Sequence, residues 1–141
     1  VTNVVLCGSF RRDLVGLQQA YAELADLGCA ILSPRSVEPE SECDGFVTMR
    51  GESGATPTML VSRHLRAITA AEFVWLHAPD GYVGLGTALE LGFATACGVP
   101  VYSRQLPRDG SLHGIVCVVH GPARVPSRES RRNRLSKEGV P

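Results

Sequence analysis

Phe73-Val74-Trp75-Leu76-His77-Ala78-Pro79-Asp80-Gly81-Tyr82-Val83-Gly84-Leu85-Gly86-Thr87-Ala88-Leu89-Glu90-Leu91-Gly92-Phe93-Ala94-Thr95-Ala96-Cys97-Gly98-Val99-Pro100-Val101-Tyr102 is the stretch that decides the fold. Phe73 to Leu76 form a continuous apolar run, as a strand buried on both faces requires. His77 to Gly86 read as a turn region, punctuated by Pro79, Gly81, Gly84 and Gly86. A helix follows from Thr87 to about Cys97, Gly98 ends it, and Val99 to Tyr102 make the next strand. Strand, turn, helix and strand in that order form a βαβ unit, whose two strands run parallel.

The same alternation recurs on both sides. Val4 to Cys7 read as a first strand ending at Gly8-Ser9. Between Asp13 and Leu27 the residues Leu14, Leu17, Tyr21, Leu24 and Leu27 recur at helical spacing, with Asp13 placed as N-cap and Gly28 as C′. Cys29 to Leu32 form a second strand, stopped by Ser33-Pro34. Thr58 to Ala71 are helical in character, with Leu60, His64 or Leu65, and Ile68 on one stripe. Ile115 to Val119 make the fifth strand. The stretch from about Arg35 to Pro57 shows no clear periodicity and reads as a lid or flexible loop. From Gly121 onward the chain is rich in Arg and Pro and reads as a basic, disordered tail, leaving one domain over residues 1–120 and a tail over 121–141. The fold class is α/β: a single-domain, flavodoxin-like, doubly wound five-stranded parallel sheet with strand order 2-1-3-4-5. Ligands of such sheets lie beyond the carboxyl ends of the strands. The Gly8-Ser9 turn and the Pro79–Gly86 turn therefore belong side by side on the ligand edge.

Bulk properties narrow the function. The chain has 141 residues, 44% hydrophobic and 20% charged, with a formal net charge of zero. A neutral chain offers no broad field to nucleic acid or to a membrane, so neither is expected as a partner. The cysteines are odd in number and form no CxxC pair; Cys7, Cys29, Cys97 and Cys117 sit in apolar or small-residue surroundings. They read as buried thiols of a reducing compartment, which with no visible signal or spanning segment points to the cytoplasm. The four histidines show no HxH, HxxxH or HExxH spacing, so no metal is expected. Cys7-Gly8-Ser9-Phe10-Arg11-Arg12 lacks the later glycines of a dinucleotide fingerprint, and no cofactor is expected either.

The chemistry gathers around Glu90. The glycines at 84 and 86 let a ligand approach the backbone, and the free N–H groups of a helix start favour an anion. The helix dipole favours the carboxylate form of Glu90, which a nucleophile requires. The same spacing is also that of a capping box, with Thr87 as N-cap and Glu90 three residues on, and spacing alone leaves both roles open. Ser9, Arg11 and Arg12 follow the first strand; the guanidinium fork suits phosphate and the hydroxyl adds a hydrogen bond. Phe10 offers a stacking platform for a base or a core side chain, and Phe46 in the long loop is a second candidate cover.

Gly86-Thr87-Ala88-Leu89-Glu90-Leu91-Gly92-Phe93-Ala94 resembles the GTxxExGxA segment of nucleoside 2-deoxyribosyltransferases. Cys7-Gly8-Ser9-Phe10-Arg11 resembles the opening turn of the related nucleoside 5′-monophosphate N-glycosidases. His64 to Ile68 followed by Phe73 to Gly84 is most similar to the CMP N-glycosidases of mildiomycin and blasticidin type. The resemblance runs from about Val4 to Val119. It implies that Glu90 attacks the anomeric carbon of a nucleoside 5′-monophosphate and forms a glycosyl-enzyme, which water or a second base then resolves. It also implies substrate contacts at Gly8, Ser9, Phe10, Arg11, Arg12, Gly84, Gly86 and Thr87. A homodimer with shared sites is implied too, in which a residue of the Ser111–His113 loop, taken as Ser111, reaches the partner's phosphate.

Two departures sharpen this. The family carries an aspartate where this chain has His64, and the transferases carry an acidic residue where it has Gly84. Their loss disfavours deoxyribosyl transfer and leaves His64 or Asp80 as the general acid. The expected function is hydrolysis of a pyrimidine, CMP-like monophosphate to free base and ribose 5-phosphate. Deoxyribosyl transfer and a non-catalytic nucleotide sensor are the alternatives. A cytokinin-type riboside monophosphate hydrolase fits less well, because Asp80-Gly81-Tyr82-Val83-Gly84 replaces its PGGxGT turn.

Overall fold

The computed structural model describes residues 1–43 and 46–139. Its main sheet contains β1 (Asn3–Gly8), β2 (Ala30–Ser33), β5 (Phe73–His77), β6 (Val101–Ser103) and β7 (Val116–Val118), all parallel, in the order β2-β1-β5-β6-β7. Renumbered within that sheet, this is the expected order 2-1-3-4-5. Helices α1 (Leu14–Asp26), α2 (Pro57–Ala70), α3 (Leu85–Ala96) and α4 (Arg128–Lys137) flank it.

Side-chain alternation along the strands builds two cores. Val4, Leu6, Phe73 and Trp75 point to one face, where they meet Leu17, Ala20 and Leu24 of α1. Val5, Cys7, Val74 and Leu76 point to the other and meet Ile68 of α2 with Leu91 and Ala94 of α3. Because both faces are covered, strands with a period of two in geometry show unbroken apolar runs in sequence.

Caps set the helix limits. Asp13 Oδ1 accepts from the Gly16 N–H (3.0 Å) at the start of α1. Gly28, at φ 79°, ends it: its N–H donates to Ala25 O (2.9 Å) and the Cys29 N–H to Leu24 O (3.1 Å), the double bond of a Schellman turn. Gly98 closes α3 in the same way, through Thr95 O and Ala94 O.

Four expectations need correcting. The 35–57 stretch contains an antiparallel pair, β3 (Pro39–Cys43) with β4 (Phe46–Met49); the Glu- and Ser-rich β3 shows no hydrophobic alternation, and β4 is only four residues long. Helix α3 starts two residues before Thr87, at Leu85, with Gly84 as N-cap: the Ala88 N–H donates to Gly84 O (2.9 Å). Thr87 is a buried residue of the first turn rather than a cap, and Glu90 stands six residues past the cap, so no capping box forms. Of the thiols expected to be buried, only Cys7 is fully so: Cys29 is half-buried, Cys97 lies at the exposed end of α3 and Cys117 on the edge strand β7. The stretch after Gly121, read as a tail without structure, carries a short turn at Pro122–Arg124 and then α4. Ser127 caps α4, and the Arg131 guanidinium donates to Glu72 O and Pro126 O, bonds that no apolar periodicity announces.

Candidate active site

The carboxyl ends of β1 and β5 lie side by side, Gly8 opposite His77. A Cβ on Gly8 would stand 2.8 Å from His77 O and 3.1 Å from Leu17 Cδ1, so only glycine lets these strand ends close on one another. The chain then enters the turn at Ser9, whose Oγ accepts from the Arg12 N–H (3.2 Å).

Beyond this edge opens a cavity of about 420 Å³. Gly8, Ser9, Phe10 and Arg11 form one wall, and Tyr82, Gly84, Leu85, Gly86 and Thr87 another. Ser33-Pro34, the α2 residues Leu60, Val61 and His64, and Val47 and Glu52 from the hairpin region complete it, with Glu90 reaching in from α3. Glu52 Oε2 accepts from the Met49 N–H (2.9 Å), which ties the end of the hairpin to the cavity rim. Phe10 also packs against the α1-side core, and the Arg12 guanidinium lies 4.5 Å from the Tyr82 ring centroid.

The reactive groups meet on one side of this cavity. His64 Nε2 is 3.4 Å from Glu90 Oε2; the two side chains are 15% and 23% exposed, open enough for a ligand and closed enough to limit water. Ser33 Oγ is 2.6 Å from His64 Nδ1 and fixes the ring plane. With Nδ1–H donating to Ser33 Oγ, the protonated ring carries its second proton on Nε2 and presents it towards the carboxylate. Cys7 Sγ is 3.4 Å from the same Nε2. Burial pushes the Cys7 thiol well above its ordinary value, and the neighbouring Glu90 charge raises it further. Cys7 is thus held as a thiol and is no nucleophile.

The structure brings Glu90, His64, Gly8, Ser9, Phe10, Arg11, Gly84, Gly86 and Thr87 to one cavity. Arg12 stands behind Tyr82 rather than on the lining. Asp80, at φ 52°, is exposed on a tight turn and does not line the cavity. Ser111 is exposed as well; its hydroxyl donates to Asp109 Oδ1 (2.7 Å), away from Glu90's cavity. The side chain of Phe46 lies outside the described residues. Sequence reading missed Ser33, Glu52, Val47, Leu60 and Val61 as lining residues, and Cys7 as a neighbour of the pair. Their places depend on tertiary contacts, and no local motif marks them. A second His–carboxylate pair, His77 Nε2 with Asp13 Oδ2 at 2.9 Å, lies beside a separate cavity of about 240 Å³. The Gly16 N–H and His77 hold the Asp13 carboxyl below the usual carboxylate range, and the pair joins the start of α1 to the end of β5.

No family profile and no curated protein matches the sequence. Among solved structures, the chain is similar to the CMP N-glycosidase BcmB of Clostridium botulinum, with a TM-score of 0.53 and 13% identity over 98% of this chain and 100% of that one. It is also similar to a conserved protein of Enterococcus faecalis V583, with a TM-score of 0.48 and 17% identity over 79% of this chain and 70% of that one. At these identities the first likeness establishes a shared α/β fold over the whole chain.

Proposed function

We propose that this chain hydrolyses the N-glycosidic bond of a nucleoside 5′-monophosphate, a pyrimidine nucleotide of CMP type, to free base and ribose 5-phosphate. The observation that carries the reading is the Glu90–His64 pair, 3.4 Å apart, facing a nucleotide-sized cavity between a Ser-Phe-Arg turn and a glycine-rich helix start. In the proposed reaction a Glu90 oxygen bonds to C1′ while the C1′–N bond breaks. The base leaves with that electron pair and takes the Nε2 proton of the His64 imidazolium, which becomes neutral imidazole. Water then attacks C1′ of the glycosyl ester and gives its proton back to His64, releasing ribose 5-phosphate and the carboxylate. His64 is favoured over Asp80 as the proton donor because it alone of the two lies beside Glu90.

Arg11, Ser9 and the N–H groups at the start of α3 would take the phosphate, and Phe10 the face of the base. The fold shared with a CMP N-glycosidase supports the choice of nucleotide. We further propose a homodimer, with Ser111 offered to the partner's phosphate. Leu85 and Leu89, 92% and 57% exposed, lie one turn apart on α3, and Leu85 also lines the cavity, so a second copy packed there would help close the site. No helix among the described residues is long and apolar enough to cross a membrane, and the proposed compartment is the cytoplasm.

The test is chromatographic detection of free base from a panel of ribo- and deoxyribonucleoside 5′-monophosphates and their nucleosides. Release from a pyrimidine monophosphate, lost in Glu90→Ala, is the expected result. Saturable nucleotide binding with no release from any member would replace the hydrolase with a nucleotide-binding sensor.

A further inference from the structure

Beside the cavity, three different donor atoms converge from three elements: a sulfur from β1, an imidazole nitrogen from α2 and a carboxylate oxygen from α3. Cys7, His64 and Glu90 place these atoms within 4.8 Å of one another. The Sγ–Nε2 and Nε2–Oε2 separations are both 3.4 Å. A tetrahedral zinc ion with bonds of about 2.3 Å to sulfur and about 2.0–2.1 Å to nitrogen and oxygen separates neighbouring donors by roughly 3.3–3.6 Å. Two of the three separations therefore already match the spacing that such an ion imposes, and the third is at most 4.8 Å.

A second, independent feature points the same way. A metal-bound histidine usually donates its other ring N–H to a fixed partner, which holds the lone pair on the metal. Ser33 Oγ, 2.6 Å from His64 Nδ1, is such a partner. With Nδ1–H donating to Ser33, Nε2 offers its lone pair into the space shared with Cys7 and Glu90. That neutral form lacks the Nε2 proton that the proposed hydrolysis delivers.

We propose that Cys7, His64 and Glu90 form a three-ligand site for a thiophilic divalent cation of the Zn2+ class, filled in competition with nucleotide turnover. On binding, the Cys7 S–H bond breaks and its proton passes to solvent; the thiolate, the neutral His64 Nε2 and the Glu90 carboxylate each donate one electron pair to the ion. Entry is from the cavity that His64 and Glu90 line, and the fourth position takes water. The mixed sulfur, nitrogen and oxygen set selects Zn2+ or Co2+ over Mg2+ or Ca2+, which favour oxygen alone. Inhibition follows because the ion occupies the nucleophile and the proton donor together. That consequence rests on the proposed glycosidase reading, whereas metal binding itself does not.

The experiment titrates Co2+ into the reduced protein and reads its visible bands and thiolate-to-cobalt charge-transfer absorption, followed by displacement with Zn2+. Because Cys97 and Cys117 are exposed, the Cys97→Ser/Cys117→Ser protein is titrated in parallel. One equivalent of Co2+ with the charge-transfer band, kept in that double variant and lost in Cys7→Ser, is the expected result. Ser33→Ala should weaken uptake by about 10- to 100-fold. His64→Ala serves if Cys7→Ser fails to fold, and should lose the intense tetrahedral bands. No uptake, or a band that survives Cys7→Ser and disappears with Cys97 and Cys117, would overturn the site. Base release is then measured with Zn2+ and with a chelator. Metal uptake without base release in either condition would remove the glycosidase and leave the metal site standing. Base release unaffected by one bound equivalent of Zn2+ would overturn the competition.

Discussion

His64 Nε2 lies 3.4 Å from Glu90 Oε2, joining the middle of α2 to the middle of α3 beside the cavity. The imidazole is not held there by Glu90 alone: Ser33, the last residue of β2, fixes the other nitrogen of the ring. Ser33 is accordingly a positioning residue. Ser33→Ala should lower kcat by roughly three- to tenfold, the worth of one net hydrogen bond, with little change in KM. Ser33→Thr, which keeps the hydroxyl, should recover most of the loss. A fall in KM-dependent terms alone, or no rescue by threonine, would show that the hydroxyl does not act through His64.

Gly86 and Gly8 line the same cavity and should respond oppositely to a methyl group. A Cβ on Gly86 meets nothing within 4 Å. Gly86→Ala should stabilise α3, by about 0.5–1 kcal/mol, while raising KM because the methyl stands where the nucleotide nears the backbone. Thermal unfolding and steady-state kinetics on the one variant check both halves.

Gly8→Ala should instead damage the fold. The added carbon would meet a backbone oxygen of β5 at 2.8 Å, and backbone cannot step aside as a side chain can. A loss of about 1–3 kcal/mol in urea unfolding is expected.

Asp13 caps α1 and pairs with His77. Asp13→Ala should cost about 1 kcal/mol at neutral pH, mainly as a lost cap. The Asp13 pKa is lowered in the folded state, first by the Gly16 N–H and then by His77. Its contribution is therefore complete above the ordinary carboxylate pKa of about 3.9 and is lost as pH falls through the lower folded value. Parent and variant should thus converge in stability only in strongly acidic solution. Convergence already well above the carboxylate range would show that the Asp13 carboxylate does not carry the effect.

Leu85 is 92% exposed beside the cavity. If a second copy covers it, Leu85→Glu should shift the protein from dimer to monomer in sedimentation and reduce turnover per chain. An unchanged sedimentation profile would remove α3 from the interface.

Much of the framework was legible because it follows from local chemistry. The apolar runs at Val4–Cys7 and Phe73–Leu76 could belong only to strands covered on both sides, and Asp13 and Gly28 marked the ends of α1. The parallel order followed from alternating strands and helices. The start of α3 was misplaced because Thr87 and Glu90 imitate a capping box, whereas Gly84 takes the cap and draws Leu85 and Gly86 into the helix. The β3–β4 pair was hidden because β3 is polar and β4, though apolar, is only four residues long. At the site, Glu90 and the Gly8–Arg11 turn were readable from motifs. The grouping of Cys7, Ser33, His64 and Glu90 was not, since they come from four elements that only the tertiary fold brings together.

The most direct test of Glu90 as nucleophile is the configuration at C1′ of the product formed when methanol competes with water. Attack by Glu90 followed by attack of methanol inverts C1′ twice, so the methyl riboside 5-phosphate seen by NMR should keep the β configuration of the nucleotide. An α product, formed by a single direct displacement, would contradict a glycosyl-enzyme on Glu90.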